Sequence, residues 1–380
     1  LKILFVIADF EGCGNYRCIL PARVISEQGL AEADYSIVVT EKHIKYYDIL
    51  IFQRSSSAGI KKVVEALKKQ NRPVLYEIDD DLFKIPWCNP AKDYYDNDRK
   101  MTSREIISLC DGAIVTTEYL ANVMYDDFRV PDVEIIPNYL DRDIWGGIEK
   151  KQNERLQLGW AGTATHYEDL ILCSDVMKQL AVQYDWGLTF IGYFPKDISG
   201  VEDRFTFIPF AEFDKYPQNL ANIDIGVAPI VDNIFNKSKS WIKILEYGAL
   251  SIPCVASKVE NYIKAQDSGA GVLLAKNTKQ WISSLKKLMI DEGFRNSLAQ
   301  QGKAWADQRF IQDNAYRWVE YCEKIMKDFT PAKEKYGEEP HPVNIKTKGD
   351  FENFKEEVAK NRQYHVGEKE MDNVLEKGWV

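Results

Sequence analysis

Strand-length apolar runs recur through the first part of this chain, at residues 3–8, 35–40, 48–53, 74–78, 112–116 and 133–137. Helical patterns lie between several of them, such as residues 59–70 with a stripe of Val63, Val64 and Leu67. Alternation of this kind favours an α/β fold with a parallel, doubly wound sheet and ligands at the carboxyl ends of its strands. A second series of strand patterns starts at residue 156 and continues at 188–192, 205–209, 225–229, 253–256 and 271–274. With 380 residues and 45% hydrophobic content, the chain can bury two cores. The expected architecture is therefore two such domains, residues 1–150 and 151–310, joined through a charged, strandless stretch at 147–154.

The formal net charge of −9 argues against a protein that is basic overall, although it leaves room for a local basic groove. The seven cysteines are scattered, odd in number and form no Cys-x-x-Cys pair. That usage predicts a reduced, intracellular protein without structural zinc, and a cytoplasmic location. The opening apolar run at residues 1–8 is of strand length, too short and too early for a signal peptide, so no such peptide is expected. No apolar run approaches the roughly 20 residues of a membrane span, and peripheral membrane contact stays open.

The densest chemistry lies in residues 236–250, Asn-Lys-Ser-Lys-Ser-Trp-Ile-Lys-Ile-Leu-Glu-Tyr-Gly-Ala-Leu, followed by a short buried strand. Ile242, Leu245 and Leu250 form a helical apolar stripe, with Ser238 or Ser240 as the expected N-cap. A helix start offers free N–H groups and partial positive charge to a phosphate, and Lys237, Lys239 and Lys243 add cations there. Ser240 and Trp241 flank the same start. Glu246, nearly two turns in, is placed to accept hydrogen bonds from a ribose diol rather than to touch that phosphate. The bland alternative is an ordinary helix–strand unit with a solvated lysine cluster.

Other strand ends carry candidate residues. After the first strand, Gly12 and Gly14 form a Gly-x-Gly turn, half of a dinucleotide fingerprint whose third glycine is missing. Arg17 stands where that fingerprint wants a small residue, which argues against NAD. Arg17 reads either as an anion contact or as a surface residue capping a turn. Asp79, Asp80 and Asp81 end the fourth strand and must repel one another unless cations or hydroxyls answer them. They suit acceptor or sugar hydroxyls, or simply cap a turn. An aromatic loop over residues 84–97, with Trp87, Tyr94 and Tyr95, is the candidate acceptor loop. Gly162, Thr163 and His166 form a turn of small residues and hydroxyls after the strand at 156–161, suited to a phosphate or a sugar. His166 reads equally as a helix cap.

The 236–257 stretch resembles the donor-binding segment of type-B-fold glycosyltransferases related to the large retaining family 4. There a helix opens at the diphosphate and ends in Glu-(Ala or Tyr)-x-Ala-x-Gly-x-Pro-Val-Val-Ala-Ser. Glu246 matches the second glutamate of the family's Glu-x7-Glu pattern, while the first position is Ser238. A bacterial and phage branch with Lys-Ser-x-x-Lys-x-x-Glu-Tyr fits better, through Lys239, Ser240, Lys243, Glu246 and Tyr247. Ile135-Ile136-Pro137-Asn138 resembles the close of the family's first domain, and the resemblance covers about residues 1 to 330.

It implies two Rossmann-like domains facing each other across a cleft, a helix at 311–330 crossing back to the first, and a charged, partly helical extra tail at 331–380. It implies a nucleotide-diphosphate sugar as donor substrate, a carbohydrate or other hydroxyl acceptor, no cofactor and no bound metal. Pro209 and Phe210 occupy the family's nucleobase loop. Asp79 or Asp80 stands where many members hold a histidine beside the sugar. The family's Arg and Lys after the Gly162 turn are absent, so the cations must come from Lys237, Lys239 or Lys243. Retention of configuration is implied, and the aspartates leave inversion open. The rivals are a phage-type transferase acting on modified DNA bases, a sugar-nucleotide epimerase on the same fold, and a non-catalytic scaffold.

Overall fold

The computed structural model describes residues 1–194 and 200–364, with side chains through 357. It separates into two units, one of residues 1–83, 95–137 and 314 onward, the other of 84–94 and 138–313. The chain thus changes unit at Pro137/Asn138, and the charged stretch at 147–154 lies inside the second unit.

The first unit is built on strands β1 (Lys2–Val6), β2 (Glu32–Ser36), β3 (Ile49–Gln53), β4 (Val74–Ile78), β5 (Gly112–Val115) and β6 (Val133–Ile135). They form one parallel sheet in the order β2-β1-β3-β4-β5-β6. β3 and β4 are buried along their whole length, as parallel strands covered on both faces must be. β2 forms earlier than the apolar run at 35–40 suggests. Ser26 brackets Ala33 by accepting from its N–H and donating to its C=O, while the Ser36 hydroxyl bonds both N–H and C=O of Val38 and turns the chain off the sheet.

The second unit contains β7 (Gln157–Ala161), β8 (Gly187–Ile191), β9 (Phe205–Ile208), β10 (Ile225–Ala228), β11 (Cys254–Ser257) and β12 (Val272–Ala275), parallel in the order β12-β11-β10-β7-β8-β9. This is the doubly wound Rossmann order, whose direction reverses between β7 and β10; in the first sheet it reverses between β1 and β3. Crevices for ligands open at such reversals. The helix Ile242–Ala249 packs tightly on Glu292–Ala306, because a Cβ on Gly248 would come within 2.8 Å of the Gly302 carbonyl oxygen.

The helix Tyr316–Met326 lies in the first unit, where Tyr321 Oη donates to Asp132 O and Arg317 to Ile135 O. Beyond it the chain runs along the same unit as a strap. Ala332 N donates to Asp48 Oδ1 and Asn344 Nδ2 to Asp34 Oδ2 and Tyr47 Oη. Ile345 joins the edge at Ser36 and Ile37, and Lys348 pairs with Glu11 as the helix Lys348–Tyr364 begins. The part of the expected tail at 365–380 lies outside the described residues. His43 Nε2 donates to Asn344 Oδ1 at 2.8 Å, and burial holds its pKa below the ordinary histidine value.

Removing the chain from residue 331 onward should therefore lower the melting temperature of the first unit. In the full chain, stability should also fall with acidification below about pH 6.5, because the unfolded His43 takes up a proton that the folded one resists. Calorimetry of both chains at about pH 8 and about pH 5.5 checks this. Equal melting at the higher pH would show that the strap adds nothing.

Candidate functional site

In the second unit, the turns after β7 and β10 meet where the strand order reverses. Gly162 has no room for a side chain, since a Cβ there would sit 2.5 Å from the Trp160 ring. Gly192, after β8, has φ +83 and packs against the Gly162 carbonyl, and Phe210, after β9, comes beside Gly192. The carboxyl ends of β7, β8 and β9 thus bring Gly162 and Phe210 to one edge, with Phe210 55% exposed. Pro209 precedes it. Thr163 and Thr165 share a hydroxyl hydrogen bond of 2.7 Å.

His166 is the N-cap residue of the helix Tyr167–Tyr184, but its ring caps no backbone group; Nδ1 donates to Asp169 Oδ2 at 2.9 Å. The other Asp169 oxygen accepts from Val231 N at 2.7 Å and Asn236 Nδ2 at 3.0 Å. Asp169, 5% exposed, therefore fastens the glycine turn to the segment that leads into the lysine cluster. Sequence reasoning missed it. An acidic residue at the third position of a helix reads as ordinary dipole compensation.

The lysine segment folds differently from the expected capped helix. Asn236–Ser238 is a separate 3-10 turn, Lys239 is extended, and the helix opens only at Ile242 with Trp241 as N-cap. The reason is Asn261, whose Nδ2 donates to the carbonyls of Lys237 and Lys239 at 3.0 and 2.8 Å and so withdraws them from helical bonding. Ser238 Oγ donates to Phe235 O, and Ser240 Oγ accepts from Asn138 Nδ2. Neither serine is the N-cap residue of the helix, and Trp241, which is, makes no side-chain cap bond to the first N–H groups. Lys237 is exposed, and the Lys239 ammonium lies 4.8 Å from the centre of the Phe235 ring. Trp241 stands edge-on to Trp305 at 6.0 Å, and its indole N–H is buried without an acceptor among the described residues.

Lys243 Nζ is 3.0 Å from Glu246 Oε2, and Tyr216 Oη donates to the same oxygen at 3.0 Å. Glu246 is buried, and burial together with its charge drives the Tyr216 pKa well above the ordinary phenol value. Lys243 is the second residue of the helix, but its ammonium is tied to Glu246 one turn further in, and a ribose diol at Glu246 would share the carboxylate with Lys243 and Tyr216.

In the first unit, Asp9 Oδ1 accepts from Glu11 N and Gly14 N, and a Cβ on Gly14 would lie 1.9 Å from the Asp9 carbonyl oxygen. Gly14 is required by its own turn, whereas Gly12 has open space where a side chain would go. Arg17 is neither the anion contact nor the surface cap that the sequence allowed. It is fully buried, with Nε 2.6 Å from Glu77 Oε1 and Nη1 donating to Ile136 O. A π-helical turn at Asn15–Ile19 carries it inward, toward a carboxylate in the apolar strand β4. That lone Glu77 was the available signal, since a buried carboxylate demands a cation. Burial outweighs Arg17 and pushes the Glu77 pKa up to about 7.

Arg54, in the left-handed region at φ 45, answers the aspartate cluster. Its Nε meets Asp79 Oδ1 at 2.5 Å and its Nη2 meets Asp80 Oδ2 at 3.2 Å. Burial acts to raise the Asp79 pKa, but the charges of Arg54 and Arg17 outweigh it and hold the group below the ordinary range. Asp81 accepts instead from Tyr119 Oη at 2.9 Å. Two of the three carboxylates thus share Arg54, and the third is held by Tyr119. Among the described residues no three His, Cys, Asp or Glu side chains come together as a metal site.

Residues 155–291 match the family model for glycosyl transferases group 1. An alpha-glucosyltransferase solved with UDP-glucose and DNA containing an abasic site superposes with a TM-score of 0.62 at 14% identity, over 86% of this chain and 99% of that one. Anabaena HepE in complex with UDP-glucose gives 0.60 at 13% identity, over 85% and 99%. The sucrose-phosphate synthase of Thermosynechococcus elongatus gives 0.52 at 14%, over 73% of each chain. No curated protein sequence matches significantly.

Proposed function

We propose that this chain, a glycosyltransferase of type-B fold whose residues 155–291 match the group 1 family, moves a sugar from a nucleotide-diphosphate donor to a hydroxyl acceptor. The observation that carries this reading is the Asp169 tie, which joins the Gly162–His166 turn to the Lys237–Lys243 segment where the strand order of the second sheet reverses. The uncapped N–H groups of the helix at 242–249 and the Lys239 ammonium bind the diphosphate. Glu246 receives the ribose, and Phe210 borders the base.

As the bond from the anomeric carbon to the phosphate oxygen breaks, negative charge builds on the departing phosphate. Donors aimed at it favour the transition state over the bound donor. The acceptor oxygen bonds to the anomeric carbon, and its proton passes to the departing phosphate, with configuration retained. Asp79, held ionised by Arg54 and already hydrogen-bonded to it, is poorly suited to act as a base, which supports retention over inversion. UDP-sugars are the first donors to test, because two of the similar structures hold UDP-glucose.

The test is nucleotide release and thermal stabilisation with UDP-, GDP-, ADP-, CDP- and dTDP-sugars, with and without EDTA. Stabilisation by one donor class and activity that survives chelation are expected. No response to any donor would sink the transferase reading. Loss on chelation, restored by manganese, would instead make Asp79 and Asp81 the candidate metal ligands. DNA is the second acceptor reading, favoured by the glucosyltransferase–DNA likeness and weakened by the net charge of −9. It predicts DNA binding that falls steeply with salt.

A further inference from the structure

Between Phe83 and Tyr95 the chain leaves the first unit and joins the second. Within this excursion Asn89 N donates to Pro86 O at 3.1 Å, closing a turn with Trp87 and Cys88 at its tip. The turn is pinned from beneath. Asn89 is buried; its Oδ1 accepts from Ala91 N, and its Nδ2 reaches Thr165 O in the glycine turn after β7. Cys88 borders Glu168, which stands at the start of the helix Tyr167–Tyr184. Pro86, Cys88 and Asn89 thereby line a hollow together with Thr165, His166 and Asn236.

At the tip, Trp87 is 82% exposed. A fixed turn that holds an indole in water forgoes the burial this side chain would otherwise gain, and a ligand restores it. The hollow beside its turn is bordered by the exposed Tyr167 and by the polar His166 and Glu168. We propose that Trp87 is the stacking platform for the pyranose ring of a glycoside acceptor, placed beside the donor turn. The proposal rests on the transferase reading above. A pyranose offers a face of C–H groups to the indole and a perimeter of hydroxyls to the imidazole and carboxylate. A nucleobase would stack on the same ring, but the Glu168 and Asp169 carboxylates on this border repel a phosphate backbone.

Saturation-transfer NMR on the full chain with UDP present tests this, using methyl glucoside, galactoside, mannoside and N-acetylglucosaminide as probes. At least one glycoside should receive saturation on its ring C–H face. The signal should fall about tenfold in Trp87→Ala and persist in Trp87→Phe, with UDP affinity within about twofold throughout. An unchanged signal in Trp87→Ala would overturn the proposal. So would UDP binding with no glycoside signal in the parent chain, which leaves the transferase reading standing. Saturation of a short single-stranded DNA in place of the glycosides would also overturn it. Trp87-dependent glycoside signals without binding of any nucleotide would instead sink the transferase reading and keep the sugar platform.

Discussion

Lys239→Met should lower turnover by about 100-fold or more, with a smaller loss of donor affinity, since a cation facing the leaving phosphate gains most as the bond breaks. Methionine keeps much of the apolar stem and removes the charge, which lies 4.8 Å from the centre of the Phe235 ring. Lys239 is held at the helix mouth by Asn261, which fixes the backbone on both sides of Ser238, so the loss should appear in the chemical step rather than in folding. Lys243→Met needs a different reading. Its ammonium neutralises the buried Glu246, and removing it takes the paired cation from a carboxylate held inside the unit. That variant should lose stability as well as activity, and Glu246→Gln in the same background should recover part of the stability. Single-turnover kinetics beside thermal melts separate the two lysines. Turnover of Lys239→Met within about threefold of the parent, in folded protein, would remove this segment from the mechanism.

Arg17→Met should destabilise the first unit by about 3–5 kcal/mol, the cost of breaking a buried pair from one side. The charge left behind belongs to Glu77, whose carboxyl burial already pushes up to about 7. A carboxyl with a folded value above its unfolded one binds its proton more tightly when folded, so its contribution favours the fold at low pH and is lost as pH rises through that value. Without Arg17 the shift grows. The destabilisation should therefore be larger at about pH 8 than at about pH 6, where Glu77 can stay protonated. Urea titrations of parent and variant at both pH values check the amount and the sign. A cost below about 1 kcal/mol, or one independent of pH, would show that the pair is not the first unit's buried anchor.

The residue pattern alone specifies the two parallel sheets, because continuous apolar runs separated by helical stripes allow little else. It also located the glycine turns and the lysine–glutamate segment, since Gly162, Lys239 and Glu246 are local signals tied to strand ends and a helix start. Other features depend on partners far apart in the chain. Arg17 lies inward because Glu77, distant in sequence, needs a cation inside an apolar strand. The helix at 242–249 starts late because Asn261 takes two carbonyls that a local reading assigns to helix bonds. Trp87 reads from sequence as one aromatic among several, and it stands apart only because Asn89 pins its turn to Thr165. Periodicity reports which face of an element is apolar, whereas the pairing of buried polar groups is settled only when distant segments meet and each must find a partner away from water.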